Sequence, residues 1–358
     1  FSSSTALPPP DMLLAAKLAL PVMIVAIAVP PALVSLLAWA THPGPEQERW
    51  PGRPQLNKVW GVPATPFITS DRIDQLQNGT FKPSSKDIWV ATYPKTGTTW
   101  TQTIVNHING FAPLERGRYP FTYCPWPEVS LGLPPLRYSI EEINDFKRWE
   151  GPVGGWRCLK SHWHYADHMA DAGKRVIYVM RNVLDVATSF YHHSRRFHFV
   201  YLDMADVSFD AFFEMLKAGN VDNGDYFDHV ASWWAVKDRP NVLFVRYEDL
   251  LADPAAVIRR IAAHMGVELT DAFVAQIVKL SSFRRMKQFY GGDVGEIVLT
   301  AVGALRGPFF RRGELGTYRE SVNAEQRAWA IEQYLRKLAP LGVPRDWVIP
   351  AAAVGEPG

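Results

Sequence analysis

The sequence predicts an α/β fold: a single domain with a central parallel sheet flanked by helices, preceded by an N-terminal hydrophobic helix. Three observations predict it. Short, wholly apolar runs alternate with longer stretches of helical periodicity, the pattern of βαβ units. Apolar residues make up 47% of the 358-residue chain and charged residues 21%, enough for a sizeable core and against global disorder. One apolar run near the N-terminus is much longer than any strand and stands apart from the rest.

Taken in order, residues 1–12 are a tail and 13–40 a hydrophobic segment. From Leu18 to Ala40 there are 23 residues without a charged side chain. As a helix this run reaches ~34 Å, against a hydrocarbon core of ~30 Å. Pro21, Pro30 and Pro31 weaken the helix, but membrane helices tolerate proline. The favoured expectation is membrane association through residues 18–40, a single-pass anchor in a Golgi-like or other endomembrane. Ala38-Trp39-Ala40 also fits a small-x-small cleavage site, so a cleaved leader is an alternative, as is a cytoplasmic chain. Residues 41–70, rich in Pro, Gly and polar groups, read as a linker and irregular lead-in. Asn78-Gly79-Thr80 is a glycosylation sequon, which matters only in a secretory lumen.

The main domain spans 71–345, followed by a tail over 346–358. Buried strands are expected at Ile88–Tyr93, Trp156–Lys160, Arg175–Met180 and Val242–Arg246. Helices are expected at Thr98–Asn109, Leu184–Arg195, Phe209–Ala218, Tyr226–Lys237, Pro254–Met265 and Ala324–Leu338, the last opened by an Asn323 cap with a returning Gln326. Ligands of such sheets bind beyond the carboxyl ends of the strands. Chemistry is therefore expected in the residues that follow each strand.

Charge narrows the choice. Lys and Arg number 38 against 36 Asp and Glu, a net charge of +2, which excludes a globally basic nucleic-acid coat. An anion site must be a local cluster. The two cysteines, Cys124 and Cys158, exclude a disulfide scaffold and a multi-cysteine zinc site.

The sequence Tyr93-Pro-Lys-Thr-Gly-Thr-Thr-Trp100 supplies such a cluster between a strand and a helix. Gly97 lets the backbone turn toward a ligand, Thr96, Thr98 and Thr99 offer hydroxyls, and the first amides of the helix point outward unpaired. An anion there gains the helix N-terminus and the Lys95 charge together. The nucleotide-triphosphatase signature is different, since here the lysine precedes the glycine. A plain strand-to-helix turn capped by threonines is the bland alternative.

This loop resembles the 5′-phosphosulfate loop of the cytosolic-type sulfotransferase family. Three further stretches match that family in order. Arg181-Asn-Val-Leu-Asp-Val-Ala-Thr-Ser189 resembles its 3′-phosphate motif, Phe310-Arg311-Arg312-Gly313 its C-terminal Arg-Lys-Gly segment, and Lys160-Ser-His162 its catalytic stretch. Together they cover roughly residues 60–345. The resemblance implies a phosphate-loop-like fold and sulfuryl transfer from 3′-phosphoadenosine 5′-phosphosulfate (PAPS), without a metal, to a hydroxyl or amine of a small acceptor: a phenol, alcohol, sterol or amine.

It also implies roles. Lys95 with Thr96, Gly97, Thr98 and Thr99 would hold the 5′ end and the leaving phosphate. Arg181, Ser189 and Arg311, with the Gly313 amide and Arg312, would hold the 3′-phosphate. Trp100, Tyr247, Ser281 and Phe283 would surround the adenine. His162 would be the general base, with Lys160 on the transferring oxygens and Ser189 counted with the catalytic group.

Other readings of these residues stay open. His162, His164 and His168 could form a metal site, although carboxylate and cysteine partners are not obviously placed. His192 and His193 read as a solvated or packed pair. Glu128 could select an amine or cap a turn. Tyr119–Pro135 and Asp293–Pro308 look like gating loops. Val183 departs from the family's proline. Thr317-Tyr318-Arg319 stands where Asp-Trp-Lys is usual, which weakens the family's C-terminal dimer motif. The competing functions are a nucleoside-kinase-like phosphotransferase and a membrane-tethered nucleotide-binding protein without catalysis.

Overall fold

The computed structural model describes residues 57–59, 61–64, 68–111, 123–129, 138–165, 174–196, 204, 207–290 and 309–353. The hydrophobic segment at 18–40, most of the lead-in, the tail beyond 353, His168 and the loop 293–308 lie outside them, as does most of 119–135.

The lead-in, expected to be irregular, contains a short antiparallel hairpin of β1 (Asn57–Val59) and β2 (Val62–Ala64), with Gly61 at φ 78° in its turn. Helix α1 (Ser70–Gln77) is capped by Thr69 and leads to β3 (Asp87–Thr92), which runs into α2 (Thr98–Ile108). Two short helices, α3 (Ile140–Asn144) and α4 (Phe146–Trp149), precede β4 (Arg157–Ser161). Strand β5 (Arg175–Met180) then leads into the long α5 (Val183–Arg196). Helices α6 (Phe209–Lys217) and α7 (Tyr226–Trp234) precede β6 (Val242–Arg246). The chain continues through α8 (Tyr247–Ala252), α9 (Pro254–Met265), α10 (Asp271–Leu280) and α11 (Phe283–Tyr290), and α12 (Ala324–Lys337) packs back near the C-terminus. The box between Asn323 and Gln326 opens α12 as the sequence predicts.

The sheet is four-stranded and wholly parallel, in the order β4-β3-β5-β6. Its strands are covered on both faces, so their residues are apolar in succession but divide by the two-residue period. Ile88 and Val90 join Ile177 and Val179 in one core, beneath α2 and α9. Trp89 and Ala91 join Val176, Tyr178 and Met180 in the other, against α5, α6 and α7. The chain leaves β3 for β4 on one side and returns to place β5 on the other. The direction of winding therefore reverses between β3 and β5, and a crevice opens there at the carboxyl ends.

One polar pair is sealed into this frame. Arg157 Nε and Nη2 each donate to Asp87 at 2.7 Å, side by side on neighbouring strands, and both side chains are 0% exposed. Two further guanidinium N–H groups reach the Ile143 and Lys82 carbonyls, so each of its three nitrogens has a partner. The two cysteines also pair: Cys124 and Cys158, with Cα atoms 4.6 Å apart, form a single disulfide that ties the segment before Trp126 to β4.

Candidate active site

The crevice is a cleft of about 320 Å³ lined by the ends of β3, β4 and β5 and by segments from α5, α8 and α11. It brings together Lys95, Gly97, Thr98, Thr99, Trp100, Lys160, His162, Arg181, Ser189, Tyr247, Phe283, Arg311 and Gly313, thirteen positions expected from sequence. Thr96, Ser281 and Arg312 stand off its wall. Thr96 is buried with its hydroxyl on the Tyr93 carbonyl, Ser281 with its hydroxyl on the Ile277 carbonyl, and Arg312 is exposed and paired with Glu320.

The loop after β3 is shaped for close approach. Lys95 has a left-handed backbone, φ 74°, and Gly97, the N-cap of α2, has φ 112° and no side-chain cap. The threonines therefore do not cap this helix, and its first amides stay available to an anion. A Cβ on Gly97 would stand 2.8 Å from the Tyr247 ring. Arg181, at the end of β5, donates from Nη1 to the Lys95 carbonyl at 3.4 Å and from Nη2 to the Glu314 carbonyl at 3.0 Å, while its Nε has no partner among the described residues. Its guanidinium lies 4.3 Å over the Tyr247 ring.

The segment carrying Arg311 and Gly313 is pinned by one carboxylate. Asp185, on the first turn of α5, accepts from the Gly316 amide at 3.0 Å, the Thr317 hydroxyl at 3.1 Å and the Tyr318 amide at 3.2 Å. Thr317, a departure from the family pattern, is thus used by the fold. Gly313 faces Phe283 so closely that a Cβ would stand 2.3 Å from its ring.

The base site has a defined tautomer. Nδ1 of His162 lies 2.8 Å from the Thr92 carbonyl, which can only accept, so Nδ1 carries the hydrogen and Nε2 is the basic nitrogen. Burial, then the nearby Lys160 charge, holds His162 well below its ordinary pKa. Lys160 sits 3.4 Å over the Trp126 ring, and that ring meets His162 edge-on at 5.0 Å. Burial, with Arg181 and Arg196 nearby, pushes Lys95 down to about 7. Burial likewise lowers Lys160.

Sequence reasoning missed several walls of the cleft: His193, Phe309, Met286, Asp222 and Asn223; Trp126, which also lines it, comes from the segment 119–135 expected to gate the site. His193, read as a solvated or packed pair with His192, stands with Nδ1 3.2 Å from Lys95 Nζ. The signal was present, because His193 follows Ser189 by one helical turn and shares its face. Glu128 does not reach the cleft; it is buried behind it, bonded to the Ser161 hydroxyl, and burial raises its carboxyl to about 7. His164 is turned to the Asn223 carbonyl, 3.2 Å from its Nε2. Among the described residues no group of three His, Cys, Asp or Glu side chains is arranged to hold a metal.

The residues present fit a nucleotide carrying anions at both ends. Lys95, Arg181 and Arg311 bring cationic side chains to the one cleft, with Ser189, Gly313 and the start of α2, and Trp100, Tyr247 and Phe283 bring rings to it. A switch-point crevice that gathers several cations, aromatic rings and an imidazole suits a nucleotide-dependent group transferase.

The chain belongs to the sulfotransferase family: the family model described as Sulfotransferase domain matches residues 85–342. It is a PAPS-dependent sulfotransferase of the cytosolic type. It is 30% identical over 310 residues to sulfotransferase 1C2 of Oryctolagus cuniculus, covering 86% of this chain and 98% of that protein. To sulfotransferase 1A1 of Bos taurus it is 28% identical over 295 residues, covering 80% and 94%. Among solved structures its fold is similar to retinol dehydratase in complex with androsterone and inactive cofactor PAP, with a TM-score of 0.62, 23% identity, and 77% and 88% of the two chains covered. Mouse sulfotransferase SULT7A1 complexed with PAP gives a TM-score of 0.60 at 23% identity, over 79% and 94%.

These relatives correct one expectation. They are cytosolic-type sulfotransferases, and no helix among the described residues is long and apolar enough to cross a membrane. The localisation expected from residues 18–40, a single-pass endomembrane anchor, is withdrawn. The apolar length that suggested it is real, but length alone does not distinguish a span from other uses of an apolar segment.

Proposed function

We propose that this cleft moves a sulfuryl group from PAPS to a hydroxyl or amine of a small acceptor, with His162 as general base. The observation that carries the reading is the shared cleft: Lys95, Lys160, His162 and Arg181, from three different strand ends, line one space. Bound PAPS supplies the activated sulfur and a phosphate leaving group. His162 Nε2 takes the acceptor proton, and its depressed pKa keeps it neutral and ready at neutral pH. Lys95, in its protonated form, and the first amides of α2 offset the charge that grows on the leaving phosphate. Lys160 faces the transferring oxygens and is steadied over Trp126. Ser189, on α5, donates to the donor phosphates. Arg181, Arg311 and the Gly313 amide hold the 3′ end. Trp100, Tyr247 and Phe283 take the adenine.

The test incubates the full chain with radiolabelled PAPS and a panel of phenols, alcohols, sterols and amines. His162→Ala is expected to lower turnover about 10²–10⁴-fold while leaving PAP affinity within a factor of a few. Lys95→Ala is expected to cost about 10²–10³-fold in turnover. Full turnover retained in both variants overturns the assignment. Retinol and androsterone, the molecules bound in related structures, belong in the panel as members of the alcohol and sterol classes.

A further inference from the structure

The wall of the cleft carries an amide whose bonding capacity is unused. Asn223 is 1% exposed and lines the cleft, yet neither its Oδ1 nor its Nδ2 has a hydrogen-bond partner among the described residues. Buried side-chain polar atoms nearly always have one. Its backbone, by contrast, is held on every side. Its N–H donates to the Pro63 carbonyl at 2.8 Å, its carbonyl meets His164 Nε2 at 3.2 Å, and the Gly224 carbonyl beyond it accepts from the Tyr93 hydroxyl at 2.9 Å. His164 packs on His229, whose Nε2 lies 3.1 Å from the His162 carbonyl, so Asn223 is tied to the exit of the strand that carries the base. Among the described residues two non-glycine residues have a left-handed backbone, Lys95 at φ 74° and Asn223 at φ 66°, and both line this cleft. Such conformations persist where surrounding contacts over-determine them, and they gather at sites.

Asn223 shares the cleft with His162 and is linked to the carbonyl of that residue through His164 and His229, which assigns the group it meets to the acceptor. An amide offers a donor and an acceptor together. A hydroxyl can use both, and a carbonyl can use the donor. We propose that Asn223 selects acceptors bearing a second oxygen function, a hydroxyl or carbonyl, besides the oxygen that is sulfated. The proposal rests on the reading of the cleft as the sulfuryl-transfer site.

The test uses the full chain with PAPS and a series of phenols carrying an ethyl, hydroxymethyl or acetyl group at the ortho, meta or para position. The quantity read is kcat/KM of each oxygenated phenol relative to its ethyl counterpart, compared between wild type and variant so that intrinsic reactivity cancels. Asn223→Gly keeps the left-handed backbone and removes the amide, and is expected to lower that ratio about fivefold for at least one position. Asn223→Asp keeps the shape but cannot donate; it is expected to lower the ratio for the acetyl compound and spare the hydroxymethyl one. PAP affinity, measured by calorimetry, is expected to hold in both. Ratios unchanged in a variant that still binds PAP overturn the proposal, and either variant suffices if the other does not fold. A wild-type chain that binds no PAP and sulfates no phenol overturns the reading of the cleft and this proposal with it, a failure visible before any substitution is made.

Discussion

Lys95 and His193 face each other in the cleft, Nζ 3.2 Å from Nδ1. When Lys95 is protonated its ammonium donates, and Nδ1 of a neutral imidazole accepts. Burial pushes Lys95 down to about 7, and burial with the Lys95 charge holds His193 well below its ordinary pKa. The expected consequence is proton uptake on donor binding. Near pH 8 most free Lys95 is neutral; beside a phosphate it is charged, because an opposite charge raises its pKa. Binding of PAP should therefore take up protons above pH 7, and its affinity should fall as pH rises, by at most about tenfold per unit per group. Calorimetry in buffers of different ionisation enthalpy reads this directly. No buffer dependence between pH 7 and 9 contradicts it.

His162 gives a second prediction. Its pKa is depressed, so the neutral, basic form dominates down to well below pH 6.5. With donor and acceptor saturating, kcat should be flat from pH 6.5 to neutrality and fall only in more acid solution, where the imidazole is protonated. A falling limb centred at or above pH 6.5 would show that another group sets the profile.

Gly313 tests the adenine side. Its φ of +70° disfavours any side chain, and the Phe283 ring lies only 2.3 Å from where a Cβ would stand. Gly313→Ala must displace the ring, at about 1–3 kcal/mol for overpacking. Donor affinity is expected to fall about tenfold or more. Unchanged PAP titration in a folded variant would separate this contact from donor recognition.

Arg157 and Asp87 make a prediction about stability alone. Arg157→Met leaves the Asp87 carboxylate buried without its partner and is expected to cost about 3–5 kcal/mol, read from urea denaturation. The double variant Arg157→Met with Asp87→Leu is expected to recover most of that loss, because the uncompensated charge is gone. A double variant no more stable than the single one would place the cost elsewhere.

The frame was largely legible in the sequence. Strands β5 and β6 and helix α9 fall at the expected residues because their apolar periods and caps are local signals. The phosphate loop was legible for the same reason: lysine, glycine and threonines at fixed spacing between a strand and a helix. Helices α8, α10 and α11 were not anticipated. Tyr247 reads as a loop residue after a strand, yet it begins α8 directly. The walls supplied by Trp126, Asp222 and Asn223 come from segments distant in sequence, and only the fold brings them into one cleft with His162. The pairing of Cys124 with Cys158 is of the same kind, two residues separated by 34 positions and joined by a strand and its neighbouring loop. Arg312 shows the reverse: the motif names it, but the turn at Gly313 sends its side chain outward to Glu320.

The grip of Asp185 on Gly316, Thr317 and Tyr318 joins positions more than 130 apart. A ribosome therefore delivers the anchor long before the segment it fastens. During synthesis the sheet and the phosphate loop are complete while the far end of the nucleotide pocket is still missing. Recognition of the whole donor is thus among the last competences the growing polypeptide acquires, and a chain cut short before Gly316 lacks both that end of the pocket and the C-terminal side chains, among them Tyr334, Leu338 and Val348, that complete one core.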